Sequence, residues 1–175
     1  MTQSNSSLSQ FIEHQHQWID ELLLSHQEAL VEKRIDVAKS LFACFHRALR
    51  VHAQAEDRVL LELHRQQCLD PRWNTSIYMH EHRKIYDLLD KMGVRINELE
   101  TLTTRDVIEI LDEQKTLKGV IEHHGEREEK GMMAELENAL SAEDKVGLMG
   151  RLESVWQDTN QQIQQTLAGL KLGLI

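Results

Sequence analysis

Two helical stretches of the chain bring a histidine and, four residues later, a glutamate onto the face that should be apolar. They are His52–Glu56 in HAQAE and His124–Glu128 in HGERE. A spacing of four puts both side chains on one helix face, one turn apart. Around the first pair the seam reads Phe42, Phe45, Leu49, His52, Glu56, Val59 and Leu63, in steps of three and four. Two consecutive core positions have therefore gone to a histidine and a carboxylate. Burying such groups is costly unless they are paired or bound to metal. The same intrusion twice in 175 residues makes metal binding the leading expectation.

One proline and eight glycines, among many Leu, Glu, Gln, Lys and Ala residues, favour helix with few turns. The length suits one domain whose core needs no staples. A net charge of −9 without any long basic run argues against a nucleic-acid partner. No apolar stretch approaches the ~18 residues that cross a bilayer. The polar start MTQSNSSLSQ lacks a cationic segment followed by an apolar one, so neither membrane nor secretion is expected. Cys44 and Cys68 stand on or just beyond one predicted helix, roughly 36 Å apart at about 1.5 Å per residue, far beyond disulfide reach. They read as reduced thiols in a cytoplasmic protein.

Apolar periodicity divides the chain into five helices. The first runs from about Leu8 to Val31, with Ile12, His16, Ile19, Leu23, His26 and Leu30 on its seam and Ser9 or a neighbouring serine as its cap. The second covers about Asp36 to Gln67 and stops before Pro71. The third spans about Asn74 to Glu100, with Tyr78, His82, Ile85, Leu89, Met92, Ile96 and Leu99 in register. The fourth follows Thr104 as N-cap and reaches about Leu140, its seam Val107, Ile110, Gln114, Leu117, Ile121, His124 and Glu128. Ser141 with Asp144 opens a fifth, about Ala142 to Gly169, patterned by Val146, Met149, Leu152, Val155, Trp156, Ile163 and Leu167. Long helices with short connections predict an all-α fold, an antiparallel up-down-up-down four-helix bundle over residues 8–140. The additional C-terminal helix, residues 141–175, either buttresses the bundle or offers a homodimer face.

In such a bundle, residues equidistant from a connecting loop share one height. His16 and His52 flank the first loop in this way, Glu56 and His82 the second, and His82 and His124 the third. The worst mismatch is about three residues, or ~5 Å of rise, within the uncertainty of helix ends. His16, His52, Glu56, His82, His124 and Glu128 are therefore expected to converge at one level of the core.

The remaining candidates read more plainly. His26 has no glutamate companion and reads as a satisfied core residue. His46, His64 and His80 lie off their seams and read as solvated, and His14 lies beside His16 but off the seam. Asp57, Glu122, Glu126 and Glu129 read as helix-surface charges, and Trp18, Trp73 and Trp156 as packing. His123, about 100° from the seam of His124, stands five residues before Glu128 and is a reserve ligand. Tyr78, one turn before His82, faces the site as packing, as a hydrogen-bond donor or as a phenolate ligand.

Imidazole and carboxylate without thiolate suit iron, manganese or zinc. The set lacks the cysteines usual in closed structural zinc sites. Four histidines and two carboxylates from four helices suit a two-metal centre bridged by the carboxylates. Ferritin-like di-iron proteins use two Glu-x-x-His motifs with two further glutamates. Here only Glu13–His16 has that spacing near the site.

The order His, HxxxE, His, HxxxE along four helices resembles the hemerythrin-like family of HHE cation-binding domains. The likeness covers about residues 11 to 136. It is carried by HQWID from His16, AKSLFACFHRALRVHAQAED from Ala38, MHEHRKIYDLL around His82 and HHGEREEKGMM from His123. The resemblance implies that His16, His52, His82 and His124 are terminal ligands and that Glu56 and Glu128 bridge two non-haem irons. Tyr78 stands where oxygen-carrying members place a further histidine, which implies either an open coordination position or a single metal. Those members space their last histidine and carboxylate by five, which His123 would satisfy, and Ala134 replaces a common proline. The implied function is binding or sensing of oxygen, nitric oxide or peroxide. No candidate general acid or base stands out beyond the ligands and Tyr78. The alternatives are a di-iron redox enzyme of the peroxidase or nitric-oxide reductase type, and a metal-free helical interaction protein.

Overall fold

Polar caps open four of the five helical rods in the computed structural model, which describes residues 7–171. The polar start at residues 1–6 and the end of the C-terminal unit at 172–175 lie outside the described residues. In chain order the helices are α1 (Leu8–Val31), α2 (Ile35–Ala55), α3 (Leu61–Gln67), α4 (Thr75–Asn97), α5 (Thr104–Arg127), α6 (Ala134–Ala139) and α7 (Ala142–Gly169). There is no strand among the described residues. Ser7, rather than Ser9, caps α1 in a reciprocal box with Gln10. Asn74 caps α4 and Ser141 caps α7. Thr103, rather than Thr104, caps α5 in a box with Asp106. Each cap supplies an oxygen to an N–H that has no partner within the helix.

The second and fourth rods are not uninterrupted α-helices as the periodicity suggests. α2 passes into α3 through a π-helical turn, Glu56–Leu60, and α5 passes into α6 through another, Glu128–Met133. Each opens on the glutamate of a His–Glu pair. In the first, the N–H of Leu61 reaches back five residues to the carbonyl of Glu56, the bond that defines a π turn. One extra residue in the turn rotates everything beyond it. The expected seam residues Val59 and Leu63 are only part-buried, while Leu60, Leu61 and His64 are buried instead. The solvated placement expected for His64 is thereby corrected.

α1 packs along α2, α2 on α4, α4 on α5 and α5 on α1, while α7 lies mainly against α2. α7 turns Leu148, Leu152, Trp156, Ile163 and Leu167 inward, leaving the expected seam residue Val146 exposed. The apolar core falls into two clusters. One holds Ile19, Phe42, Phe45, Ile85 and Ile110, and the other holds Ile12, Leu60, Tyr78, Met132 and Leu136. Buried polar side chains from α1, α2, α4 and α5 belong to neither. No helix among the described residues is long and apolar enough to cross a membrane.

Candidate metal centre

His16 from α1, His52 from α2, His82 from α4 and His124 from α5 meet Glu56 and Glu128 at the two π turns. Their donor atoms form two overlapping groups, each within 4.8 Å. The first is His16, His52, Glu56 and Glu128; the second is His82, His124, Glu56 and Glu128. Within the groups the imidazole nitrogens face each other in pairs, His16 Nε2 to His52 Nε2 at 3.0 Å and His82 Nε2 to His124 Nε2 at 2.9 Å.

Each carboxylate divides its oxygens between the pairs. Glu56 Oε1 lies 2.9 Å from His52 Nε2, while its Oε2 lies 3.3 Å from His82 Nε2. Glu128 Oε2 lies 3.3 Å from His16 Nε2, while its Oε1 lies 3.4 Å from His124 Nε2. Both glutamates are fully buried. Although these oxygens are close to nitrogen, none of the four has a hydrogen bond of acceptable geometry. Buried carboxylate oxygens without aligned donors are costly. Cations placed within the two groups would compensate all four, so the residues present fit a pair of metal ions.

The outward-facing nitrogens complete a circuit around the ring of helices. Gln15 Oε1 of α1 lies 3.0 Å from His52 Nδ1 of α2. Asp57 Oδ1, next to Glu56, lies 2.7 Å from His82 Nδ1 of α4. Glu81 Oε2 of α4 lies 3.1 Å from His124 Nδ1 of α5, and Glu81 is itself paired with Arg127. Glu129 Oε1, next to Glu128, lies 3.5 Å from His16 Nδ1 of α1. With an acceptor at every Nδ1, each ring keeps its Nε2 lone pair for the interior. This is the usual way a protein sets the tautomer and orientation of a metal-bound imidazole.

The titration behaviour has the same origin. Burial works against the charged form of His16, but the adjacent Glu128 carboxylate, with the charge of Glu56, pushes its pKa up to about 9. For His82 burial is likewise outweighed, here by Asp57 and Glu56, and its pKa is also pushed up to about 9. His124 is raised despite its burial by Glu128 and Glu56. Burial would raise Glu56, yet the surrounding histidines hold it well below the usual carboxylate range. Without a cation, protons supply the positive charge that the buried glutamates demand, and metal binding would release them.

A cavity of ≈190 Å³ reaches the centre between α1 and α5, lined by His16, His52 and His124 with Asp20, Leu49 and Gly125 among others. Gly125 helps keep it open: a Cβ there would sit 3.5 Å from His16 Nδ1. Burial raises the pKa of Asp20, against the opposing charge of His16.

The structure brings together all six residues singled out by the seams. His123 is exposed and His124 is buried, so the spacing of four, not five, brings an imidazole to Glu128. His14 is exposed, and His26 is a core residue bonded to the Ala38 carbonyl at 2.8 Å and to Gln114 at 2.8 Å. Tyr78 is buried, and its hydroxyl is committed to backbone groups. It donates to the Arg127 carbonyl and accepts from the Met132 N–H, at 3.4 and 3.3 Å, across the second π turn. Close packing of Trp73 and Tyr78 against that turn leaves room only for glycine at 131, where a Cβ would lie 2.5 Å from the Trp73 ring. Asp57 and Glu129 are not the plain surface charges expected, and Gln15 and Glu81 carried no expectation. All four stand immediately beside a seam ligand, about 100° around the helix and so directed toward the next rod. That adjacency is the signal that could have found them.

No protein-family model, curated protein or solved structure matches the chain.

Proposed function

We propose that the chain is a hemerythrin-like, non-haem di-iron protein that binds or senses oxygen, nitric oxide or peroxide. In this reading α1, α2–α3, α4 and α5–α6 form an antiparallel up-down-up-down four-helix bundle, with α7 as its buttress. The observation that carries the proposal is the division of Glu56 and Glu128 between two histidine pairs. A core that needed only polar specificity would pair each glutamate with one partner. Two buried carboxylates facing both ways suit a bridged pair of cations.

His16, His52, His82 and His124 would hold the irons from the outside, with Glu56 and Glu128 between them. When bound, ferrous iron would supply the electrons that a small diatomic ligand or peroxide takes up. The protein's own part is to orient the imidazoles through Gln15, Asp57, Glu81 and Glu129, and to keep water away with the two apolar clusters. The cavity beside His16 admits a ligand of a few atoms, and no substrate-binding residues beyond it are called for. Nitric oxide titrated anaerobically into the ferrous protein should give a saturable change in absorption that His52→Ala abolishes. Iron-loaded protein that leaves the spectrum unchanged with nitric oxide, oxygen and peroxide alike would overturn the reading. Steady turnover with an added electron donor would recast the centre as an enzyme.

A further inference from the structure

A second set of side chains able to ligate a metal lies near Tyr78. The Tyr78 ring stands 6.4 Å from that of His124 and 6.0 Å from that of His64. His64 and Cys68 are four residues apart at the end of α3, so both meet one face. Glu135 comes to the same place from α6. One donor atom from each of the three, an imidazole nitrogen, the thiol sulfur and a carboxylate oxygen, lies within 4.8 Å of the others.

We propose that His64, Cys68 and Glu135 form a separate site for one divalent cation of the zinc class. The donor set differs in kind from the first centre because it contains sulfur, and imidazole with thiolate selects zinc over magnesium, calcium or manganese. Zinc bond lengths place neighbouring donors roughly 3.3–3.8 Å apart, a spacing within reach of small side-chain rotations from the one observed. The donors are held on their far sides. Thr75 Oγ1 lies 3.3 Å from His64 Nδ1, and the Arg72 N–H donates to Glu135 Oε1 at 2.6 Å. His64 Nε2 donates to Glu135 Oε2 at 2.6 Å. The cation takes the place of the Cys68 thiol proton, which is released to solvent, while the imidazole proton moves from Nε2 to Nδ1, where Thr75 Oγ1 accepts it.

His64 is fully buried, whereas Cys68 borders an open groove of ≈520 Å³ that also runs past Thr75 and Asn74. The cation reaches the site from that side, and its fourth position faces the groove. With the cation bound, the α3–α4 connection is fastened to α6, just beyond the π turn that carries Glu128. The site owes nothing to the iron reading, because none of its donors belongs to the first centre.

Cobalt(II) reports a thiolate ligand by its sulfur-to-metal charge-transfer absorption. Titrated into full-length protein already loaded with iron, it should produce that band at saturation of one further site. Cys68→Ser should remove the band and weaken zinc binding by more than about 100-fold, beyond the loss typical for an outer partner. Glu135→Gln should weaken binding, while Cys44→Ser and His52→Ala should retain the band. In unaltered protein, zinc should protect Cys68 but not Cys44 from alkylation, a readout that does not depend on the folding of a variant. Cobalt bound without the band, a band that survives Cys68→Ser, or equal alkylation of Cys68 with and without zinc would overturn the proposal.

Discussion

The two halves of the central cluster share both glutamates but differ in exposure and in the outer partners of their histidines. His82 and His124 form the more closed half, their side chains 1% and 5% exposed, with only His124 bordering the cavity. Their outer nitrogens rest on the carboxylates Asp57 and Glu81, the latter tied to Arg127. His16 and His52 form the other half, open at His16 while His52 is buried. The His16 side chain is 17% exposed at the mouth of a cavity, its outer partner Glu129 stands at 3.5 Å, and His52 rests on the neutral amide of Gln15. Anionic partners make an imidazole a stronger donor than an amide does. The difference teaches a division of labour under the di-iron proposal: the closed half retains its metal, and the open half meets the incoming ligand.

The largest effect should come from erasing what the halves share. Glu56→Gln removes a charge that both pairs use, and iron affinity should fall by more than about 100-fold at both positions, read as metal per chain after dialysis. A variant that loses only one metal would show that the glutamate serves one half. Next, Asp57→Asn should weaken retention in the closed half by about 10–100-fold, as loss of an outer partner usually does. Gln15→Leu in the open half should cost less, and equal losses in chelator competition would remove the distinction. Gly125→Leu fills the cavity beside His16. It should slow nitric-oxide binding by about tenfold, a barrier ~1.4 kcal/mol higher, with iron content unchanged. An unaltered rate in stopped flow would place ligand access elsewhere.

His26 provides the control for both halves, being a buried histidine with no carboxylate beside it. Burial lowers its pKa from 6.5 to about 4, only partly offset by its bond to the Ala38 carbonyl. The unfolded chain therefore takes up a proton that the folded chain refuses. The stability contributed by neutral His26 is present above pH 6.5 and is lost as pH falls from there toward 4. Between pH 7 and 5.5 the loss should be about 1 kcal/mol, seen as a difference between the urea unfolding of the native chain and of His26→Gln. Parallel pH profiles for the two proteins would show that His26 is not the group responsible.

The seams located the helices well because caps and apolar spacing are local properties: α1 and α7 begin and end where the periodicity and serine caps place them. The same spacing singled out the six side chains that converge. It failed just beyond Glu56, because a π turn adds a residue without any local marker in composition. From Val59 onward the expected face was one position out, which hid the burial of His64 and with it the group formed with Cys68 and Glu135. The circuit of outer partners escaped for a different reason. Asp57, Glu81 and Glu129 are polar residues off the seam, marked in the sequence only by standing beside a ligand, and which nitrogen each serves is set by the neighbouring helix. Tyr78 could not be decided from its helical position, since its hydroxyl answers to the backbone of another helix at Arg127 and Met132.

Iron per chain, measured by mass spectrometry after anaerobic ferrous reconstitution and removal of loosely bound metal, tests the two-cation centre most directly. The account predicts about two irons per chain, as a carboxylate-bridged pair requires, falling sharply in Glu56→Gln. Protein that retains no iron, or retains the same amount without Glu56, would contradict it.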